Sequence, residues 1–123
     1  MYFFNMLVTA AIIFNKNKIL IAKRGNKWEF PGGRLEGKES LEECIKREIK
    51  EELNIGISII KKFCIEKNNE IELHVFLARY ENGNLKLRFH ENAKWINIEE
   101  IDKFEFLPLD EKVVEKLKKI KNI

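Results

Sequence analysis

Glu48, Glu51 and Glu52 stand at i, i+3 and i+4 in a stretch that reads as a helix, so their carboxylates converge on one surface. Three carboxylates this close repel one another unless cations sit among them. Hard oxygen donors at this density suit Mg²⁺ or Mn²⁺. On a helical wheel, Leu41, Cys44, Ile45, Ile49 and Leu53 mark the apolar face, and Glu48 and Glu52 fall inside that arc. Glu51 sits at its edge, whereas Glu43, Lys46 and Lys50 take the opposite side. A helix packing only against a core would not carry unpaired charge there, because burying it is expensive. The strip is therefore expected to face a cleft, with Arg47 pointing to one side, where it can pair with a carboxylate and hold it. The alternative from the wheel alone is an acidic, lysine-laced solvent helix whose glutamates serve helix propensity.

The elements that position this strip are legible on either side of it. Ser40 can cap the helix, and Glu43 three residues later completes a capping-box pattern. Asn54 follows Leu53 and accepts a left-handed conformation more readily than most residues. Residues 7–14 and 18–23 are apolar and β-branched, joined by the turn-prone Asn15-Lys16-Asn17, and read as a hairpin or as neighbouring strands. Residues 28–30 read as a short strand stopped by Pro31-Gly32-Gly33. Beyond the helix, residues 57–65 and 71–80 read as strands, and Asn82-Gly83 predicts a hairpin turn into residues 85–89. Residues 93–98 form one more strand candidate. A last helix is expected over 110–121, with Val113, Val114, Leu117 and Ile120 as its apolar stripe. Strands, helix, strands, helix is an α/β (mixed α+β) order, with a mixed sheet between helices.

A chain of 123 residues favours one domain over residues 1–123. With 45% apolar and 35% charged residues it has the composition of a folded globule, not a disordered chain. A net charge of +3, from 23 basic against 20 acidic residues, argues against stable binding to nucleic acid or a membrane surface. No apolar run approaches the roughly 20 residues of a membrane span, and residues 1–4 lack the basic flank of a secretion signal. Cys44 and Cys64 lie in apolar segments and read as free thiols, which fits a reducing cytoplasm.

From Gly33 the sequence runs Gly, five residues, Glu39, seven residues, Arg47-Glu48-Ile49, one residue, Glu51-Glu52, one residue, Asn54-Ile55. This resembles the Nudix box, G-x5-E-x7-R-E-U-x-E-E-x-G-U with U aliphatic, at every defined position except the last glycine, where Asn54 stands. The resemblance implies a Nudix-type α/β/α sandwich around a mixed sheet, and hydrolysis of a nucleoside diphosphate linkage. It implies that Glu48, Glu51 and Glu52 bind Mg²⁺ or Mn²⁺, together with the backbone carbonyl of Gly32. Arg47 would orient a catalytic carboxylate, and Glu39 would stabilise the loop–helix junction or reach the metal through water. Glu48 is the first choice of general base and Glu91, in the His90-Glu91 loop, the second.

The flanks narrow the family. Residues 19–33, ILIAKRGNKWEFPGG, and 105–117, EFLPLDEKVVEKL, resemble the MutT-like nucleoside triphosphate pyrophosphohydrolases. That implies conversion of a (d)NTP, an oxidised purine such as 8-oxo-dGTP or a pyrimidine nucleotide, to (d)NMP and pyrophosphate. Lys23 or Arg24 would touch phosphate or sugar; the alternative is that both solvate a strand end. Asp110 would hydrogen-bond the base as an acceptor, cap its helix, or do both. Phe76 and Trp95 would line the base pocket or belong to the core. His74 reads as a strand residue and His90 as a border of the cleft. The expected partner is a small nucleotide, to a monomer or homodimer. Alternatives within the family are hydrolysis of ADP-ribose, a nucleotide sugar or a dinucleoside polyphosphate; a non-catalytic Nudix-fold binding module would be expected to have lost box glutamates.

Overall fold

In the computed structural model, which describes residues 5–120, strand β1 (Met6–Asn15) leads into β2 (Lys18–Arg24), and the two pair antiparallel at Phe14–Ile19 and Asn15–Lys18. Beyond these pairs the sheet forks. The edge of β1 that β2 leaves is taken by β4 (Gly32–Arg34), with Ala10 opposite Gly32 and Val8 opposite Arg34. The edge of β2 that β1 leaves is taken by β3 (Lys27–Glu29), with Ala22 opposite Glu29. Pro31-Gly32-Gly33 is thus more than the breaker expected from sequence. A methyl group on Gly32 would overlap the Thr9 carbonyl, so glycine is what lets these two backbones approach.

On its other edge β1 runs parallel to β6 (Ile71–Asn82), from Met6–Ile71 to Phe14–Arg79. Strand β5 (Gly56–Lys67) pairs antiparallel with the outer edge of β6, and β7 (Asn92–Asn97) with β2. The parallel β1–β6 pairing among antiparallel ones makes the sheet mixed.

The two-residue period of the strands divides the core. Ala10, Ile12, Ile19, Ile21, Leu73 and Val75 pack with α2 (Pro108–Lys118) through Val113, Val114 and Leu117. Ala11, Ile13, Leu20, Phe76 and Ala78 pack with α1 (Leu41–Leu53) through Ile45, Ile49 and Leu53. Helices on both faces of a mixed sheet form the α/β/α sandwich. Among the described residues no helix is long and apolar enough to cross a membrane.

Helix α1 begins as its sequence predicts. Ser40 Oγ accepts from the Glu43 amide at 3.1 Å, and Glu43 Oε1 accepts from the Ser40 amide at 2.8 Å, a reciprocal cap of about 1 kcal/mol. It ends at Asn54, whose φ is 61°.

Other expectations need correction. Residues 85–89 do not form a strand after Asn82-Gly83. Both edges of β6 are already taken, by β1 and β5, so no partner remains. The segment instead satisfies the open carbonyls at the end of α1, Lys86 N donating to Leu53 O and Arg88 N to Glu52 O, each at 3.0 Å. A 3₁₀ helix at Ile98–Lys103 was not foreseen. Helix α2 starts earlier than expected, with Pro108 in its first turn, and stops at Lys118. Ile120 therefore stays exposed, and Lys121 lies outside the described residues. Cys44 and Cys64 are both free, the first buried.

Candidate active site

A cleft of about 560 Å³ opens where the sheet forks. Its walls include Thr9 and Ala10 of β1, Gly32 and Gly33 of β4, and Glu48 and Glu52 of α1, with Leu107–Asp110 across from them. Glu48 is only 8% exposed. It lies so close to Gly33 that a methyl group there would overlap its carboxylate. The Glu52 side chain is 17% exposed, whereas that of Glu51, at the edge of the strip, is 59% exposed. Burial, then the charges of Glu48 and Glu29, push the Glu52 carboxyl up to about 8. Its Oε2 is buried without a hydrogen-bond partner.

Arg47 organises the rim of this strip. Nε and Nη2 bind Glu39 at 2.9 and 2.7 Å, while Nη1 reaches Glu48 Oε1 at 2.8 Å and Glu51 Oε2 at 3.1 Å. The Arg47 hydrogen bond holds the Glu39 carboxyl down at about 2, and the same contacts push Arg47 up. Glu39 Oε1 also accepts from the Glu36 amide at 2.9 Å, tying the loop to the helix.

Among the described residues no three His, Cys, Asp or Glu side chains already stand in ligand geometry, because Arg47 draws Glu48 and Glu51 toward itself. The donor set nonetheless fits a hard divalent cation. Glu48 and Glu52 are shielded carboxylates, the Glu48 charge raises the proton affinity of Glu52, and the orphaned oxygen of Glu52 lacks a hydrogen-bond partner.

Asn54, at the departure from the box, does two things. Its backbone takes the left-handed turn, and its side chain ties down the following loop, Nδ2 donating to Asn84 O at 3.0 Å and Oδ1 accepting from Arg88 Nη2 at 3.1 Å. That loop ends at His90, which is buried and bonded through Nε2 to Glu29 Oε2 at 2.7 Å. Glu29 escaped the sequence reading. Its only local signal is a carboxylate between the buried aromatics Trp28 and Phe30, and its partner is 61 residues away.

At the far wall Asp110 is buried and accepts from the Phe30 amide at 2.9 Å through Oδ1. Burial pushes its carboxyl up to about 7. Arg24 lines the rim with its guanidinium 4.9 Å from the centre of the Phe89 ring and 3.8 Å from Glu29 Oε1. Phe89, half-exposed at the mouth, was not singled out from sequence.

Four other candidates, Lys23, Glu91, Phe76 and Trp95, do not line the cleft. Lys23 alternates with Arg24 and points to the opposite face of β2; its carbonyl accepts from the Glu91 amide at 3.1 Å. The Glu91 side chain is exposed outside the cleft wall. Phe76 is core, packed on the α1 side of the sheet. Trp95 meets Tyr80 edge-on with ring centres 5.9 Å apart, and His74 is buried with Nε2 2.8 Å from Glu72.

The NUDIX domain model matches residues 5–117 of this chain. An 8-oxo-dGTP diphosphatase of Buchnera aphidicola is 31% identical, across 92% of this chain and 93% of its own. The CTP pyrophosphohydrolase of Escherichia coli is 31% identical, across 84% of each. A solved MutT structure, from work on the Aliivibrio salmonicida and Vibrio cholerae proteins, superposes with a TM-score of 0.79 at 28% identity, covering 93% of this chain and 97% of that one.

Proposed function

Because this chain belongs to the Nudix family, we propose that its cleft hydrolyses a nucleoside triphosphate to the monophosphate and pyrophosphate, as a MutT-like enzyme. The observation that carries this reading is one cleft lined both by carboxylates of α1, Glu48 and Glu52, and by a buried hydrogen-bonding group of α2, Asp110. The first group suits a polyphosphate with its cations and the second a base. Relatives named for 8-oxo-dGTP and CTP support a nucleoside triphosphate as the substrate class.

Glu48, Glu51, Glu52 and the Gly32 carbonyl are the groups we assign to hold Mg²⁺ or Mn²⁺. When bound, such an ion supplies charge neutralisation of the diphosphate and an acidified water. The protein's share is positioning and electrostatics. Arg47 fixes Glu48 and Glu51. Glu48, shielded and inside the cleft, is the general base that takes a proton from the attacking water; exposed Glu91 is poorly placed for that role. Arg24, held over Phe89 at the mouth, meets phosphate. Asp110, with Oδ1 engaged by Phe30, has Oδ2 left, once ionised, for a donor on the base edge, such as an amino group. Two free thiols, one buried, support a reducing cytoplasm as the compartment.

The test is a panel of normal and oxidised nucleoside triphosphates with Mg²⁺, read as pyrophosphate release. Release from at least one of them is expected. A silent panel beside turnover of ADP-ribose or a dinucleoside polyphosphate would replace this substrate class with that one.

A further inference from the structure

The loop that carries His90 hangs from the helix that carries Glu52. The Arg88 amide donates to the carbonyl of Glu52 itself at 3.0 Å, and the Asn54 side chain adds ties at 3.0 and 3.1 Å to Asn84 and Arg88. Phe89 packs edge-on against the His90 ring, with centres 4.9 Å apart, and the ring is wholly shielded from solvent. The position of this imidazole is therefore set by the same helix end that positions Glu52.

Its orientation is set by Glu29. The Glu29 carboxylate can only accept, so the hydrogen at the 2.7 Å contact belongs to His90 Nε2. In the uncharged ring that leaves a bare lone pair on Nδ1. Nδ1 has no hydrogen-bond partner, and neither does Glu52 Oε2, which it faces at 3.9 Å. Once Glu52 has released its proton, two buried acceptors face each other and repel, and a cation between them reverses the sign. Metal-to-ligand bonds of about 2.1 Å on each side reach across such a gap. An imidazole whose far nitrogen is fixed by a carboxylate is also how protein metal sites choose the tautomer and strengthen the donor.

We propose that His90 Nδ1 is a nitrogen ligand which, with Glu52 Oε2, takes a first-row divalent transition ion, and that Glu29 holds the ring for it. This rests on the cation site proposed above and adds to it a donor from outside the glutamate helix. Oxygen donors alone suit Mg²⁺, whereas an imidazole favours transition ions, more strongly from Mn²⁺ through Co²⁺. The Glu29–His90 pair thus tilts the site toward them.

The experiment is titration of Mn²⁺ into the full-length, metal-free protein without nucleotide, followed by pulsed EPR. The wild type is expected to show the ¹⁴N modulation of a bound imidazole, which changes to the ¹⁵N pattern when histidine alone is ¹⁵N-labelled. His90→Asn should abolish it. Glu29→Gln, which keeps the ring, should weaken Mn²⁺ binding about 10- to 100-fold. The labelled wild type needs no substitution, so the test survives a variant that fails to fold. Mn²⁺ bound without nitrogen modulation overturns the His90 ligand and leaves the carboxylate site standing. No Mn²⁺ binding at all overturns both.

Discussion

Arg47 grips Glu39 with two nitrogens, Nε at 2.9 Å from Oε2 and Nη2 at 2.7 Å from Oε1, while its remaining nitrogen holds Glu48 and Glu51. This planar fork ties the loop before α1 to the carboxylates on it. Arg47→Lys keeps the charge and loses the fork. We expect kcat/KM to fall about 10- to 100-fold, with an unchanged circular dichroism spectrum. Full turnover in that variant would mean the carboxylates need no such frame.

Gly32 and Gly33 are adjacent, yet a methyl group meets different things at each. At Gly33 it would displace the Glu48 carboxylate; at Gly32 it would collide with the Thr9 backbone. Gly33→Ala should lower divalent-metal affinity and turnover with little change in urea midpoint. Gly32→Ala should cost about 1–3 kcal/mol of stability, as overpacking does. Equal losses of stability in both would contradict the assignment of Gly33 to the site.

Glu52 and Asp110 are raised from 4.5 to about 8 and from 3.8 to about 7, in each case mainly by burial. Both retain protons in the folded state that the unfolded chain has released. Their contribution to stability is thus complete below pH 4 or so and is lost as pH rises through about 7 to 8. Urea melts in EDTA should show the protein less stable at about pH 8 than at about pH 5. Glu52→Gln and Asp110→Asn should each flatten that slope, and Glu52→Gln should also abolish turnover. A wild type with equal stability at both pH values would refute the protonated carboxyls.

Above about pH 7, where Asp110 is ionised, Asp110→Asn can keep the Phe30 hydrogen bond through its amide oxygen while turning the other end from acceptor to donor. The preferred nucleotide should lose about 10- to 100-fold in kcat/KM, with metal affinity unchanged. Asp110→Ala leaves the Phe30 amide unpaired and should cost about 1–3 kcal/mol in urea melts. Identical base preference in the Asn variant would remove Asp110 from substrate recognition.

Much of this was local in the sequence, and local patterns are what a sequence states directly. Ser40 with Glu43 marks where α1 begins, Asn54 marks its end, and a 3.6-residue period places Glu48 and Glu52 on the inward arc between them. Those three facts need no partner from elsewhere in the chain. The apolar, β-branched character of β1 and β2 likewise identifies them as strands. It does not say which face of the sheet belongs to which helix, so Lys23 and Phe76 were assigned to a cleft that neither reaches.

What required the tertiary structure was every decision about which backbone groups were still free. Asn82-Gly83 carries a good hairpin signal, but β1 and β5 already fill both edges of β6, and residues 85–89 turned to the carbonyls of α1 instead. That choice brings His90 to Glu52, and Glu29 to His90 across 61 residues. The carboxylate helix was thus determined by sequence alone, because its periodicity and caps span about a dozen residues. The surroundings of that helix were decided only on folding, because they depend on competition among distant segments for the same few edges and acceptors.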